Sequence, residues 1–71
     1  MNDRGPLVDV RCEVSLRALS FRIARVHEYA DGFVETADLR FVPVGDGDAV
    51  NAAVLEIASD CRRTADLEGI E

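Results

Sequence analysis

Carboxylates are the side chains of this sequence best placed to do chemistry. Asp31, Glu35, Asp38, Asp46 and Asp48 fall within eighteen residues, and Arg40 is the only basic residue among them. Carboxylates spaced along a strand and loop present negative charge every few ångströms, as the phosphates of a nucleic acid do. They can pair with the arginine and lysine side chains that otherwise hold phosphate, and their long-range attraction speeds encounter. A solvated face that keeps a small protein soluble would use the same residues. These five acids are the candidate partner-binding residues.

Other chemistries fit less well. Asp46-Gly47-Asp48 resembles the opening of a calcium loop. Counted from Asp46, however, the fifth, sixth and twelfth positions hold Val50, Asn51 and Ile57, where an EF-hand needs an oxygen ligand, a glycine and a glutamate. A helix cap explains the two aspartates better. His27 is the only histidine and has no Cys or His three or four residues on. Metal sites need several converging ligands, so the expectation is a partly exposed imidazole and no metal. Ser15, Ser20 and Ser59 lack a strand–elbow–helix context, and a single histidine would have to serve any of them. The sequence therefore predicts no cofactor and no catalytic centre. Cys12 and Cys61 lie on apolar faces and read as reduced, small hydrophobes, with a single Cys12–Cys61 bridge as the alternative.

Charge is unevenly distributed. Residues 1–30 hold five arginines against four acids, whereas residues 31–71 hold three arginines against ten. The second part thus carries more than the whole net charge of −6. Such a field repels phosphate and anionic lipid and attracts basic surfaces. The arginines of residues 11–25 alternate with acids and form no basic stripe, which disfavours direct nucleic-acid binding. Lysine is absent while arginine occurs eight times, a compositional bias with no chemistry attached. No apolar run approaches the length needed to span a bilayer, and the N-terminus does not read as a signal peptide. The expectation is a cytoplasmic protein that does not engage the membrane.

The elements that must position these residues are partly legible. The chain is one domain over residues 1–71, with residues 1–6 as a flexible lead-in. A chain this short buries only about 60% of its unfolded surface, so association, as a homodimer or in a larger complex, would supply missing stability. Over residues 7–16, Val8, Val10, Cys12, Val14 and Leu16 alternate with polar residues, the period of a strand with one face buried. Over residues 49–63, Val50, Ala53, Val54, Ile57, Ala58 and Cys61 recur at spacings of three and four, the stripe of an amphipathic helix. Asp48 is the expected N-cap, and Arg62 and Arg63 suit the negative helix end. Leu55 lies off the stripe. Residues 39–44 read as a strand in which Pro43 marks an edge or an end.

Residues 18–30 admit two readings. As a helix, Leu16, Leu19, Ile23, Val26 and Ala30 share a side, and Gly32 caps the exit. As a strand, Asp31-Gly32 becomes a two-residue hairpin turn, with Arg25 opposite Asp38 and Tyr29 opposite Val34. Nothing between Leu16 and Ser20 looks like the turn that a second strand requires, so the helical reading is preferred. The predicted fold is α+β: a small antiparallel sheet of two to four strands packed on helix 49–63. The ferredoxin-like order β-α-β-β-α, with a short last strand near Leu67–Ile70, is favoured over a βββα meander.

That order is accompanied by a faint resemblance. Ser20-Phe21-Arg22, Gly32-Phe33-Val34-Glu35-Thr36 and Cys61-Arg62-Arg63 resemble stretches of the acylphosphatase family. The resemblance implies Arg22 as a phosphate-binding arginine and Thr36 in the place of the asparagine that holds the attacking water. Residues 15–20 contain no glycine, where the family has a glycine-rich phosphate cradle.

Three functional expectations follow. The first is a non-enzymatic interaction protein that occupies the basic surface of a nucleic-acid-binding partner by charge mimicry. Phage-encoded anti-CRISPR and anti-restriction inhibitors share its short, acidic, single-domain profile. Asp31, Glu35, Asp38, Asp46 and Asp48 would carry the contact, with Tyr29, Phe33 or Leu55 as apolar anchors. The second is a ferredoxin-like regulatory or assembly subunit that forms a homo-oligomer. The third is a degenerate acylphosphatase-like enzyme.

Overall fold

The computed structural model describes residues 4–70. Three strands and one helix follow in the order βββα: β1 (Leu7–Arg17), β2 (Ser20–Tyr29), β3 (Val34–Pro43) and α1 (Gly47–Glu68). The strands form one antiparallel sheet in sequence order, with β2 central. The class is α+β as expected, but the ferredoxin-like order is not formed. The predicted helix over residues 18–30 is strand β2, and the predicted last strand near Leu67–Ile70 is the end of α1 and its cap.

The first hairpin closes where the sequence offers no turn residue. Arg17 pairs with Ser20, leaving Ala18 and Leu19 as a two-residue turn. Ala18 takes a left-handed φ of 50°, a conformation in which its Cβ crowds the following carbonyl oxygen. The second hairpin follows the expected chemistry more closely, with a longer loop. Gly32 N–H donates to Tyr29 O and Tyr29 N–H to Phe33 O, both at 2.9 Å. Asp31 Oδ1 accepts from Phe33 N–H at 2.8 Å, and Gly32 has a φ of 91°. This is a three-residue loop built on a turn with a left-handed glycine, not a two-residue turn. Arg25 does oppose Asp38, but a bulge at Ala37 shifts the register beyond it, so Glu28 and not Tyr29 opposes Val34.

Part of the segment expected to be flexible is tied down. Pro6 O and Arg4 O accept from Ala30 N–H and Asp31 N–H at 2.9 and 3.1 Å. The Arg4 guanidinium stacks 3.7 Å from the Phe33 ring centre. Residues 1–3 of that segment lie outside the described residues.

Helix α1 is longer than predicted at both ends. Its N-cap is Asp46, whose Oδ1 accepts from Ala49 N–H at 3.1 Å. Asp48 lies inside the first turn. Arg62 and Arg63 fall short of the C-terminal turn, which holds no basic residue. Gly69 ends the helix with a φ of 72°, its N–H donating to Asp66 O and Ile70 N–H to Ala65 O. This double closure satisfies carbonyls that the helix leaves free.

Antiparallel pairing places side chains on common faces. Val10, Cys12, Phe21, Ile23 and Val42 share the face covered by α1 and meet Ala53, Ile57 and Cys61 there. Ile23 and Ile57 are fully buried, each contributing about 1.5–3 kcal/mol of transfer free energy. The helix does not cover the whole face. Val14 and Leu16, predicted to be core, remain 49% and 63% exposed. On the opposite face no described helix packs, yet Ala24 and Val26 of the central strand are buried between flanking side chains of β1 and β3. Cys12 and Cys61 are free thiols, and burial pushes both up in pKa.

Candidate interaction surface

The five predicted acids line one side of the molecule, but not as a cluster. Asp31 sits in the β2–β3 loop and Asp46 just beyond the other end of β3. The ten residues of β3 span about 30 Å at the usual rise, and the molecule is 42 Å long. Asp31, Asp46 and Asp48 are exposed, whereas Glu35 and Asp38 are half-buried.

Four of the five also have structural work. Asp31 organises the loop by accepting from Phe33 N–H. Glu35 Oε1 accepts from the Tyr29 hydroxyl at 3.2 Å. Burial, and then this carboxylate, raise the tyrosine's pKa. Asp38 Oδ2 lies 3.6 Å from Arg40 Nη2. Asp46 caps the helix. Asp48 is the member of the set to which no such task falls, beyond its favourable place in the first turn.

The fold adds two acids that sequence reading did not select. Arg40 Nη2 donates to Glu56 Oε1 at 2.6 Å, joining β3 to α1. Its guanidinium holds the Glu56 carboxyl below the ordinary glutamate value. Asp60, one helical turn further on, lies 3.3 Å from Arg63 Nη1. The signal for this pair was present, because Glu56 and Asp60 are four apart and share a helix face. Their proximity to β3, however, depends on how α1 crosses the sheet. The seven carboxylates outnumber the guanidinium groups near them, those of Arg4, Arg25, Arg40 and Arg63.

Other charged groups are elsewhere. Arg11, on the open face, is held by Glu13, Asp9 and Glu28 at 2.7, 2.8 and 3.0 Å. Those contacts raise its pKa further, Glu13 most of all. Arg25 lies on the helix side between Cys12 and Asp38. Its Nε is buried with no hydrogen-bond partner among the described residues, as is Nε2 of half-buried His27. Of the predicted apolar anchors, Leu55 is 64% exposed and Phe33 39%, whereas Tyr29 is half-buried. On the open face of β3, opposite to the face of Glu35 and Asp38, Phe41 is 61% exposed and Leu39 43%.

The acylphosphatase-like arrangement is not reproduced. Residues 15–20 are strand and tight turn, not a phosphate cradle at a helix start. Arg22 and Thr36 are both on the open face, but Thr36 opposes Val26, four residues along β2 from Arg22. Among the described residues there is no enclosed pocket and no grouping of three metal-ligating side chains. No described helix is long and apolar enough to cross a membrane. In comparisons with known proteins, no family model, no curated protein and no solved structure matches the chain.

Proposed function

We propose that this protein is a cytoplasmic, non-enzymatic interaction module that lays its β3 side against the basic, nucleic-acid-binding surface of a partner. The observation that carries this reading is the line of acids on the β3 side, with Asp31 before the strand, Glu35 and Asp38 on it, and Asp46 and Asp48 beyond its other end, flanked by Glu56 and Asp60 of α1. A row of about 30 Å matches the reach of roughly nine nucleotides of one strand at 3.4 Å each. Phe41 and Leu39 project from the other face of the same strand, so a partner that wraps this edge meets apolar contact as well as charge, as interface anchors require. Such a module would work by competition, its carboxylates pairing with the arginine and lysine that hold phosphate. This is the behaviour of an inhibitor of a nucleic-acid enzyme, including the phage-encoded kind.

The test is partner capture from the native host followed by titration against salt. Binding should weaken steeply as ionic strength rises, and nucleic acid should compete. The combined change Asp31→Asn, Glu35→Gln, Asp48→Asn keeps side-chain shape while removing three charges. It should weaken binding at least tenfold with the circular dichroism spectrum unchanged. Unaltered affinity in that variant would remove the acid row from the mechanism.

A further inference from the structure

Among the described residues the sheet has two unpaired edges, β1 and β3, and they are not alike. β3 is blunted by Pro43, by the bulge at Ala37 and by its acids, the devices that discourage edge pairing. β1 has eleven residues, no proline and no lysine, and its single irregularity lies at its start, between Leu7 and Asp9. The residues facing outward along it follow from the hairpin. Arg17 and Ser20 flank a two-residue turn and so form its closing hydrogen-bonded pair. Alternation then directs the backbone groups of residues 11, 13 and 15 to β2, and those of Val10, Cys12, Val14 and Leu16 to solvent. The bonds from Ala30 N–H to Pro6 O and from Tyr29 N–H to Phe33 O fit the same alternation on β2.

The geometry points to β1 as the pairing edge for a second copy of this chain, antiparallel about a two-fold axis at Cys12. Only a register centred on a residue matches outward groups with outward groups. Centring on Arg11 sets Arg11 against itself and Asp9 against Glu13. Centring on Glu13 sets Glu13 against itself. Centring on Cys12, the middle of the strand, sets Arg11 opposite Glu13 of the second copy, twice by symmetry, with no like charges opposed. It also sets Val10 opposite Val14 on the helix side, where Val14 and Leu16 are 49% and 63% exposed beyond the cover of α1. Opposite charges and apolar pairs facing across strands are stabilising, and like charges destabilising. The result is a continuous six-stranded sheet with an isologous interface. It stands independently of the acid row, which lies along the other edge.

Sedimentation equilibrium on the full chain, from micromolar to millimolar concentration, tests this. The native chain should dimerise. Arg11→Glu and Glu13→Arg should each weaken dimerisation by at least about tenfold (a 1.4 kcal/mol change). An equimolar mixture of the two should form a heterodimer, because it restores both opposite-charge pairs. Val14→Pro, which removes an outward N–H while sparing the β1–β2 ladder, should abolish association, with circular dichroism confirming the fold. A native chain that stays monomeric at millimolar concentration overturns the proposal and leaves the edge to a strand of another protein. Single charge variants that dimerise like the native chain, or that fail to recover on mixing, overturn it as well.

Discussion

Arg40 and Glu56, sixteen residues apart, meet at 2.6 Å and tie the edge strand to the helix. The contact holds the Glu56 carboxyl below the ordinary glutamate value of 4.5. A carboxyl depressed in the folded state adds stability above its unfolded value and loses it as pH falls through the folded one. The native chain should therefore lose urea resistance as pH drops below about 4.5, and Glu56→Gln should flatten that acid limb while lowering stability slightly at pH 7. An acid limb identical in both proteins would mean that the pair is not formed in solution.

Ile57 is fully buried against the sheet. Ile57→Ala should cost about 2–5 kcal/mol, whereas Ile57→Val should cost about 0.5–1.5 kcal/mol. A domain of this size has only a few kcal/mol in hand, so the alanine variant should be largely unfolded at 25 °C and the valine variant folded. Thermal melts followed by circular dichroism separate the two.

Ala18 holds a left-handed φ of 50°. Ala18→Gly should stabilise the protein by about 1 kcal/mol, since glycine occupies that region without a Cβ penalty. The measurement is the urea midpoint. A decrease would indicate that the turn is not strained.

Asp46 and Asp48 look interchangeable in the sequence but differ in task. Asp46→Ala removes the side chain that accepts from Ala49 N–H and should cost about 1 kcal/mol. Asp48→Ala should cost only a few tenths, through the helix dipole. The same pair of variants dissects binding: a loss of affinity on changing Asp48 reports charge, whereas one on changing Asp46 mixes charge with helix stability.

Cys61 is buried and Cys12 half-buried, and burial raises both thiols above their ordinary value. The thiolate is the reactive form. Alkylation at neutral pH should therefore be slow for both, slower for Cys61, and should accelerate at Cys61 only with urea-induced unfolding. Mass spectrometry after timed labelling reads each site.

The amino-acid sequence by itself determined β1, the core of α1 and the edge position of Pro43. For β1 and α1 one face is apolar and the other polar, so the period is clean, and proline lacks the N–H that an interior strand position needs. It also determined the acidic bias of the second half of the chain. It did not decide for β2, which it offered as a strand but preferred as a helix. That strand is central and buried on both faces, Ile23 beneath the helix and Ala24 and Val26 on the other side, so its alternation is blurred into spacings that mimic a helix. The turn at Ala18 and Leu19 carried no glycine, asparagine or proline to announce it. Tertiary structure alone decided that Asp46 rather than Asp48 caps the helix, and that Arg40 faces Glu56 and Asp60. It alone left Val14 and Leu16 uncovered. Those outcomes depend on where a single helix crosses a three-stranded sheet, and that crossing is fixed by long-range packing that no local pattern encodes.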